Sequence, residues 1–169
     1  MKTLHLLRHA KSSWKQAELD DHERPLSKRG VATARVMAKH MHRTDIEPDI
    51  VLCSTAVRAR ETLEPIAKTL KSPKVLFKRG IYEVPGRQLW KYVRALPERA
   101  DTVLMIGHNP GLHEFALTLA DHDSVACLPP PEGKFPTGAL ATFSFDGQWK
   151  DLRPRTAHLM SFVQPRELG

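Results

Sequence analysis

The stretch LLRHAKSS, residues 6–13, ends an apolar run by setting Arg8 beside His9 just before a turn of small residues. A guanidinium next to an imidazole disfavours the protonated ring, so His9 should be a poor acid and a better nucleophile. Two further stretches close an apolar run with basic residues and turn chemistry: CSTAVRARET (53–62), which carries Arg58, and IGHNPG (106–111), which carries His108. Arginine binds phosphate as a charged fork and helix N-termini add backbone donors, so two arginines with two imidazoles suit an anion with several oxygens. No Gly-rich loop of the P-loop type and no Asp or Glu cluster for magnesium accompanies them. The chemistry expected of these residues uses no metal and no cofactor.

For the three stretches to meet, each must end a strand of one sheet. Short apolar runs alternate with helical patterns along the chain, which predicts an α/β fold with a mostly parallel central sheet. Strands are expected at TLHLLR (3–8), PDIVLCS (48–54), KVLFK (74–78) and TVLMIG (102–107), with ALATFSF (139–145) alternating as a further strand and a weaker last one over 157–162. A first helix over 27–41 takes Ser27 as N-cap and puts Val31, Ala34, Ala38 and Met41 on one face. A second opens near Thr55, buries Ala59, Leu63, Ile66 and Leu70, and is kinked or interrupted at Pro65. After the loop RGIYEVPGR comes a short helix with Leu89, Val93 and Leu96 inward, stopped by Pro97. Asn109 is expected to cap a helix over 108–120 with Pro110 at its first position. LPPPEGKFPTG is a loop, DGQW a turn, and the tail VQPRELG frays. In open α/β sheets the ligand lies beyond the carboxyl ends of the strands, where Arg8–His9, Ser54–Arg58 and Gly107–Asn109 all fall.

The totals narrow the partners. A chain of 169 residues, 41% hydrophobic and 27% charged, fits one globular domain over 1–169. A net charge of +7 favours anionic partners. Lys and Arg are scattered rather than massed with aromatics, which are 7% of the chain, so nucleic acid is not the expected partner. Cys53 and Cys127 form neither a metal spacing nor a disulfide framework, which agrees with a reducing compartment. The N-terminal segment is too short and too polar for a signal peptide, and no run approaches a membrane span. The expectation is a cytoplasmic protein without membrane contact, its oligomeric state open and a monomer included.

LLRHAKSS, CSTAVRARET and IGHNPG, in this order and on these elements, resemble the histidine phosphatase superfamily, whose fold is that of phosphoglycerate mutase. Ala10 stands where the family's Arg-His-Gly motif has glycine, a departure found in the small SixA-type phosphohistidine phosphatases. ERPLSKRG, FPTGALATF and the compact length are similar to that group as well. The resemblance implies a three-layer sandwich and a metal-independent phosphatase working through a phosphohistidine intermediate. It implies His9 as nucleophile, Arg8 and Arg58 as ligands of the phosphoryl oxygens, and His108 as a further donor. Arg24 would be an additional phosphate or substrate contact, and Glu83, in the loop after the third strand, could reach the same pocket as a proton donor. The substrate it implies is phosphohistidine in a protein; the alternatives are a small phosphomonoester, or binding of phosphate or nucleic acid without turnover.

The remaining histidines, His5, His22, His40, His42, His113, His122 and His158, have no partner pattern and read as structural. Cys53 reads as a buried strand residue, and Trp14, Trp90 and Trp149 as packing or rim residues rather than a base-stacking platform.

Overall fold

The computed structural model describes residues 1–168. Six strands form one sheet: β1 (Lys2–Arg8), β2 (Ile50–Ser54), β3 (Lys74–Lys78), β4 (Thr102–Gly107), β5 (Leu140–Phe145) and β6 (His158–Val163), in the order β3-β2-β4-β1-β5-β6. The first four are mutually parallel, and β5 and β6 are added antiparallel at one side. Helices α1 (Lys28–Arg43), α2 (Val57–Ala67), α3 (Trp90–Arg94) and α4 (Gly111–Leu119) cross over between strands.

Alternation along β1 sorts the core into two layers, since successive side chains of a strand point to opposite faces. Leu7 packs with Met37, Met41, Leu63 and Ile66 under α1 and α2, while Leu4 and Leu6 pack with Val93, Leu112 and Phe115 under α3 and α4. β1, β2 and β4 are covered on both faces and read as nearly continuous apolar runs; β5 alternates buried and half-buried residues, as a strand with one wetter face should.

The helices differ from the sequence reading in detail. Ser27 caps α1, its side chain accepting from Gly30 N–H at 3.0 Å. Val31 is 37% exposed, and the buried face is Gly30, Ala34, Met37, Ala38 and Met41. Gly30 fixes that rotation: a Cβ there would lie 2.0 Å from the Lys11 carbonyl oxygen, so only glycine lets α1 close onto the segment after β1. α2 carries Pro65 inside and stops two residues later, leaving Leu70 beyond the helix and half-buried. Leu89 and Leu96 are buried just outside α3.

Two expectations are overturned. Asn109 does not cap α4: its side-chain amide donates to the Phe135 carbonyl at 2.9 Å, and Pro110 occupies the cap position instead. The tail does not fray over 164–168: Pro165–Glu167 form a helical turn closed by the Glu167 carboxylate accepting from Gln164 N–H, and Leu168 packs on the Met37 layer. Gly169 lies outside the described residues.

Candidate active site

His9 is the residue after β1, and backbone bonds on two sides hold it there. Its N–H donates to Gly107 at the end of β4, and its carbonyl, with that of Arg8, accepts from Gly138 N–H. The next residue, Ala10, donates to Thr62 Oγ1 at 3.0 Å, and the Thr62 hydroxyl donates to the Arg58 carbonyl at 2.7 Å. One buried threonine therefore registers the His9 turn against the helix that carries Arg58.

The ring of His9 is 6% exposed, and Nδ1 lies 2.6 Å from the Ala10 carbonyl. A carbonyl can only accept, so Nδ1 carries the proton and Nε2 keeps its lone pair. Burial pulls the ring down to about 3; the bond to Ala10 opposes it, and the charges of Arg8, Arg58 and Arg24 add to the lowering. His9 is neutral at physiological pH.

His108 follows β4, its ring centroid 5.0 Å from that of His9. Nε2 lies 2.7 Å from Ser54 Oγ, at the end of β2. Ser54 is fully buried, so its hydroxyl proton needs a protein acceptor, and Nε2 is the one beside it; Oγ accepts in turn from Ala56 N–H. That assignment puts the imidazole proton on Nδ1, which is buried without a partner. Burial, and then the neighbouring His9 and Arg58, hold His108 down to about 2.

Arg58 stands in the first turn of α2 and is 2% exposed, where a cation opposes the helix dipole and calls for an anion. Its Nη1 donates to the Asp21 carbonyl at 2.7 Å; its Nη2 donates to Asp21 Oδ2 at 2.9 Å and to Glu83 Oε1 at 3.0 Å. Arg8 donates from Nη1 to the Phe135 carbonyl at 3.0 Å, the same oxygen that holds Asn109. Burial, and then Arg58, lower the Arg8 guanidinium below its ordinary value while Glu83 opposes them. Nε of Arg8 and of Arg58 are, like Nδ1 of His108, buried without a partner. Three neighbours of His9 thus present buried nitrogens that an anion's oxygens could pair with.

Arg24 is 7% exposed, not the loosely solvated residue that its polar loop would suggest. It donates from Nε to Asp21 Oδ1 at 3.0 Å and from Nη1 to Ser12 Oγ at 2.7 Å, and its guanidinium stacks on Trp14. Glu83 does reach the site through its bond to Arg58, on a left-handed backbone with φ 51°. All six residues singled out in the sequence thus gather at the carboxyl ends of the parallel strands. Missed was Asp21, which joins Arg24, Arg58 and the Tyr82 hydroxyl through one carboxylate. Burial pushes its carboxyl up, but hydrogen bonds from Tyr82, Arg58 and Arg24 overcome this and hold it at about 2. The available signal was its place three residues before Arg24.

A separate cavity of about 510 Å³ lies between the segment after α1 and a stretch of the sheet that includes Thr3, His5, Thr102 and Leu140, and holds none of the site residues. His5 there bonds Thr142 Oγ1 at 2.8 Å, as a structural histidine.

The fold is that of the mutase-like α/β class, with the basic residues gathered at its strand ends. A model of the histidine phosphatase superfamily, branch 1, matches residues 4–86. An uncharacterized protein of Mycobacterium tuberculosis is 32% identical over 162 residues, spanning 95% of this chain and 100% of the relative. A structure from Nakamurella multipartitia assigned as phosphohistidine phosphatase SixA superposes with a TM-score of 0.82 at 29% identity, covering 97% of this chain and 96% of that one. A second SixA assignment, from Agrobacterium tumefaciens, gives a TM-score of 0.83 at 27% identity, covering 97% and 98%. The chain belongs to the histidine phosphatase superfamily and is a phosphatase, similar over nearly its whole length to the chains assigned as SixA. Among the described residues no helix is long and apolar enough to cross a membrane.

Proposed function

We propose that this chain removes phosphate from phosphohistidine in a protein, with His9 as nucleophile and no metal in the mechanism. The observation that carries the reading is the 2.6 Å bond between His9 Nδ1 and the Ala10 carbonyl, which fixes the tautomer and leaves Nε2 free to attack. Nε2 forms a bond to phosphorus as the substrate's P–N bond breaks. Arg8 and Arg58 hold the equatorial oxygens, supplying the positive charge that phosphoryl transfer requires, and Nδ1–H of His108 donates to a third. Water then displaces the phosphoryl group from His9, releasing phosphate and restoring the imidazole.

Two further observations support a protein substrate. The Nakamurella and Agrobacterium chains, similar to this one over nearly their whole length, are assigned as phosphohistidine phosphatases. The outer carboxylates are open, Asp21 at 43% and Glu83 at 47% side-chain exposure above the buried Arg58, so a side chain on a partner's surface can reach in. A small phosphomonoester is the second reading, favoured by Glu83: an alkoxide is a basic leaving group that needs an acid, and Glu83 stands at the site.

The test is phosphate release, with EDTA present, from a histidine-phosphorylated protein and from a panel of sugar and nucleotide phosphates. Higher kcat/KM on the phosphohistidine protein, unchanged by EDTA, is the expected result. A preference for one small ester would establish the second reading, and a metal requirement that survives dialysis would overturn the mechanism.

A further inference from the structure

Beyond Arg24 the chain builds a surface that the chemistry at His9 does not use. Ser13 N–H donates to the Pro25 carbonyl at 2.8 Å, and Ser12 pairs with Leu26 in an isolated antiparallel bridge. The segment after β1 and the segment before α1 are thereby clamped side by side. Between them runs a groove of about 490 Å³ lined by Ser13, Lys15, Gln16, Pro25, Lys28 and Arg29 among others, none of its lining residues being acidic.

Trp14 lies in the chain between two lining residues, Ser13 and Lys15. It is 75% exposed, whereas Trp90 is 9% and Trp149 0% exposed. One face of its indole lies on the Arg24 guanidinium, 3.5 Å from the ring centroid, and Arg24 donates to the Ser13 carbonyl at 3.1 Å. The ring is thus held in place, and the exposure shows that much of it remains open to solvent. A large, rigid, exposed aromatic is the kind of residue that anchors protein interfaces. The chain of contacts from it runs through Arg24 and Asp21 to Arg58, which links Trp14 to the phosphoryl site through two side chains.

We infer that Trp14 and the Lys15–Lys28–Arg29 groove form the docking surface for the phosphoprotein, and that they select an acidic segment flanking the phosphohistidine. This rests on the phosphohistidine-protein reading above. Charge complementarity carries it: three cations and no anion line a groove that adjoins a site built for another anion. Trp14 supplies the apolar anchor and the lysines and arginine supply the selection. Rim charges of this kind act on association and on salt dependence more than on the chemical step.

The test uses two phosphohistidine peptides of equal length, one flanked by glutamates and one by lysines, beside free phosphohistidine. The wild type should favour the glutamate peptide, and added salt should narrow the difference. Lys15→Glu combined with Arg29→Glu should raise KM for the glutamate peptide about tenfold, improve the lysine peptide, and leave free phosphohistidine unchanged. Trp14→Ala should raise KM for both peptides while kcat holds, and Trp14→Tyr should restore most of it. The docking assignment is overturned if the charge reversal leaves the glutamate peptide's KM alone, or if free phosphohistidine suffers equally. Wild-type enzyme that hydrolyses p-nitrophenyl phosphate but no form of phosphohistidine would overturn the underlying reading, and the docking surface with it.

Discussion

Arg8, His9 and His108 take their positions from backbone carbonyls and buried hydroxyls, whereas Asp21, Arg24 and Tyr82 hold one another across two loops and Glu83 joins them through Arg58. On the floor, the partners are Gly107, Ala10, Phe135 and Ser54, all set by the sheet or by segments packed on it. On the rim, one half-exposed carboxylate ties together two guanidiniums and a phenol. The two histidines of the floor are buried, and burial holds them neutral. The rim is charged, with its two carboxylates open to solvent. Arg58 belongs to both: its helix fixes it from below and Asp21 and Glu83 hold it from above. The difference separates two demands. Groups that touch the reacting atoms need one geometry throughout turnover, whereas groups that admit a substrate must exchange their partners for it.

Substitutions test this division, beginning on the floor. His9→Ala should abolish turnover and leave the circular dichroism spectrum intact. It should also change the acid limb of stability. The unfolded histidine titrates near 6.5 and the buried one near 3. Between those values the unfolded chain binds the extra proton, so stability falls as pH drops, by up to ~1.4 kcal/mol per pH unit for each such histidine. Removing His9 should flatten the decline of Tm between pH 6 and 4 relative to wild type; an unchanged slope would contradict the neutral buried ring.

Arg58→Ala should lower kcat by a factor on the order of 10² or more, the scale for losing a preorganised group that stabilises transition-state charge. A tenfold loss or less would return Arg58 to the rim. Asp21→Asn keeps the shape but removes the charge that orders Arg24 and Arg58. An effect of about tenfold, mostly in KM, is expected from steady-state kinetics, since the floor stays in place. Because the Asp21 carboxyl is held at about 2, its contribution is complete above pH 4 and is lost only as pH falls toward 2. The variant-to-wild-type ratio should therefore be flat from pH 5 to 8.

The smallest effect is expected at Glu83. Phosphohistidine protonated on its other nitrogen leaves as neutral imidazole, whose conjugate acid has a pKa of about 6.5, and needs little help. Glu83→Gln should change phosphohistidine turnover by less than about tenfold and slow alkyl phosphate hydrolysis more. Equal loss on both substrates would make Glu83 a binding residue, and a larger loss on phosphohistidine would contradict the leaving-group argument.

The floor was the part legible in the sequence. Arg8–His9, Ser54–Arg58 and Gly107–Asn109 each terminate an apolar run, and parallel strands bring their carboxyl ends to one edge whatever the loops do. The rim was not legible in this way, because Asp21 meets Arg58 and Tyr82 only through loop paths that carry no periodicity. Arg24 and Glu83 were reached through resemblance, and neither the burial of the first nor the Arg58 contact of the second follows from their neighbours in sequence. Asn109 shows the limit from another side. Its type and its place before Pro110 fit a helix cap, but the Phe135 carbonyl brought in by a distant loop takes its amide. Val31 fell one position off the buried face because Gly30, not a large residue, meets the backbone of Lys11.

The central claim is that Nε2 of His9 carries the phosphoryl group during turnover. Rapid quenching under alkaline denaturing conditions, followed by peptide mass spectrometry, tests it directly, because phosphohistidine survives base and is lost in acid. The expected result is one acid-labile phosphate on the peptide containing His9, formed and consumed at rates compatible with kcat and missing in His9→Ala. Acid-stable phosphate on Ser12, Ser13 or Ser54, or label at Cys53, would contradict the account.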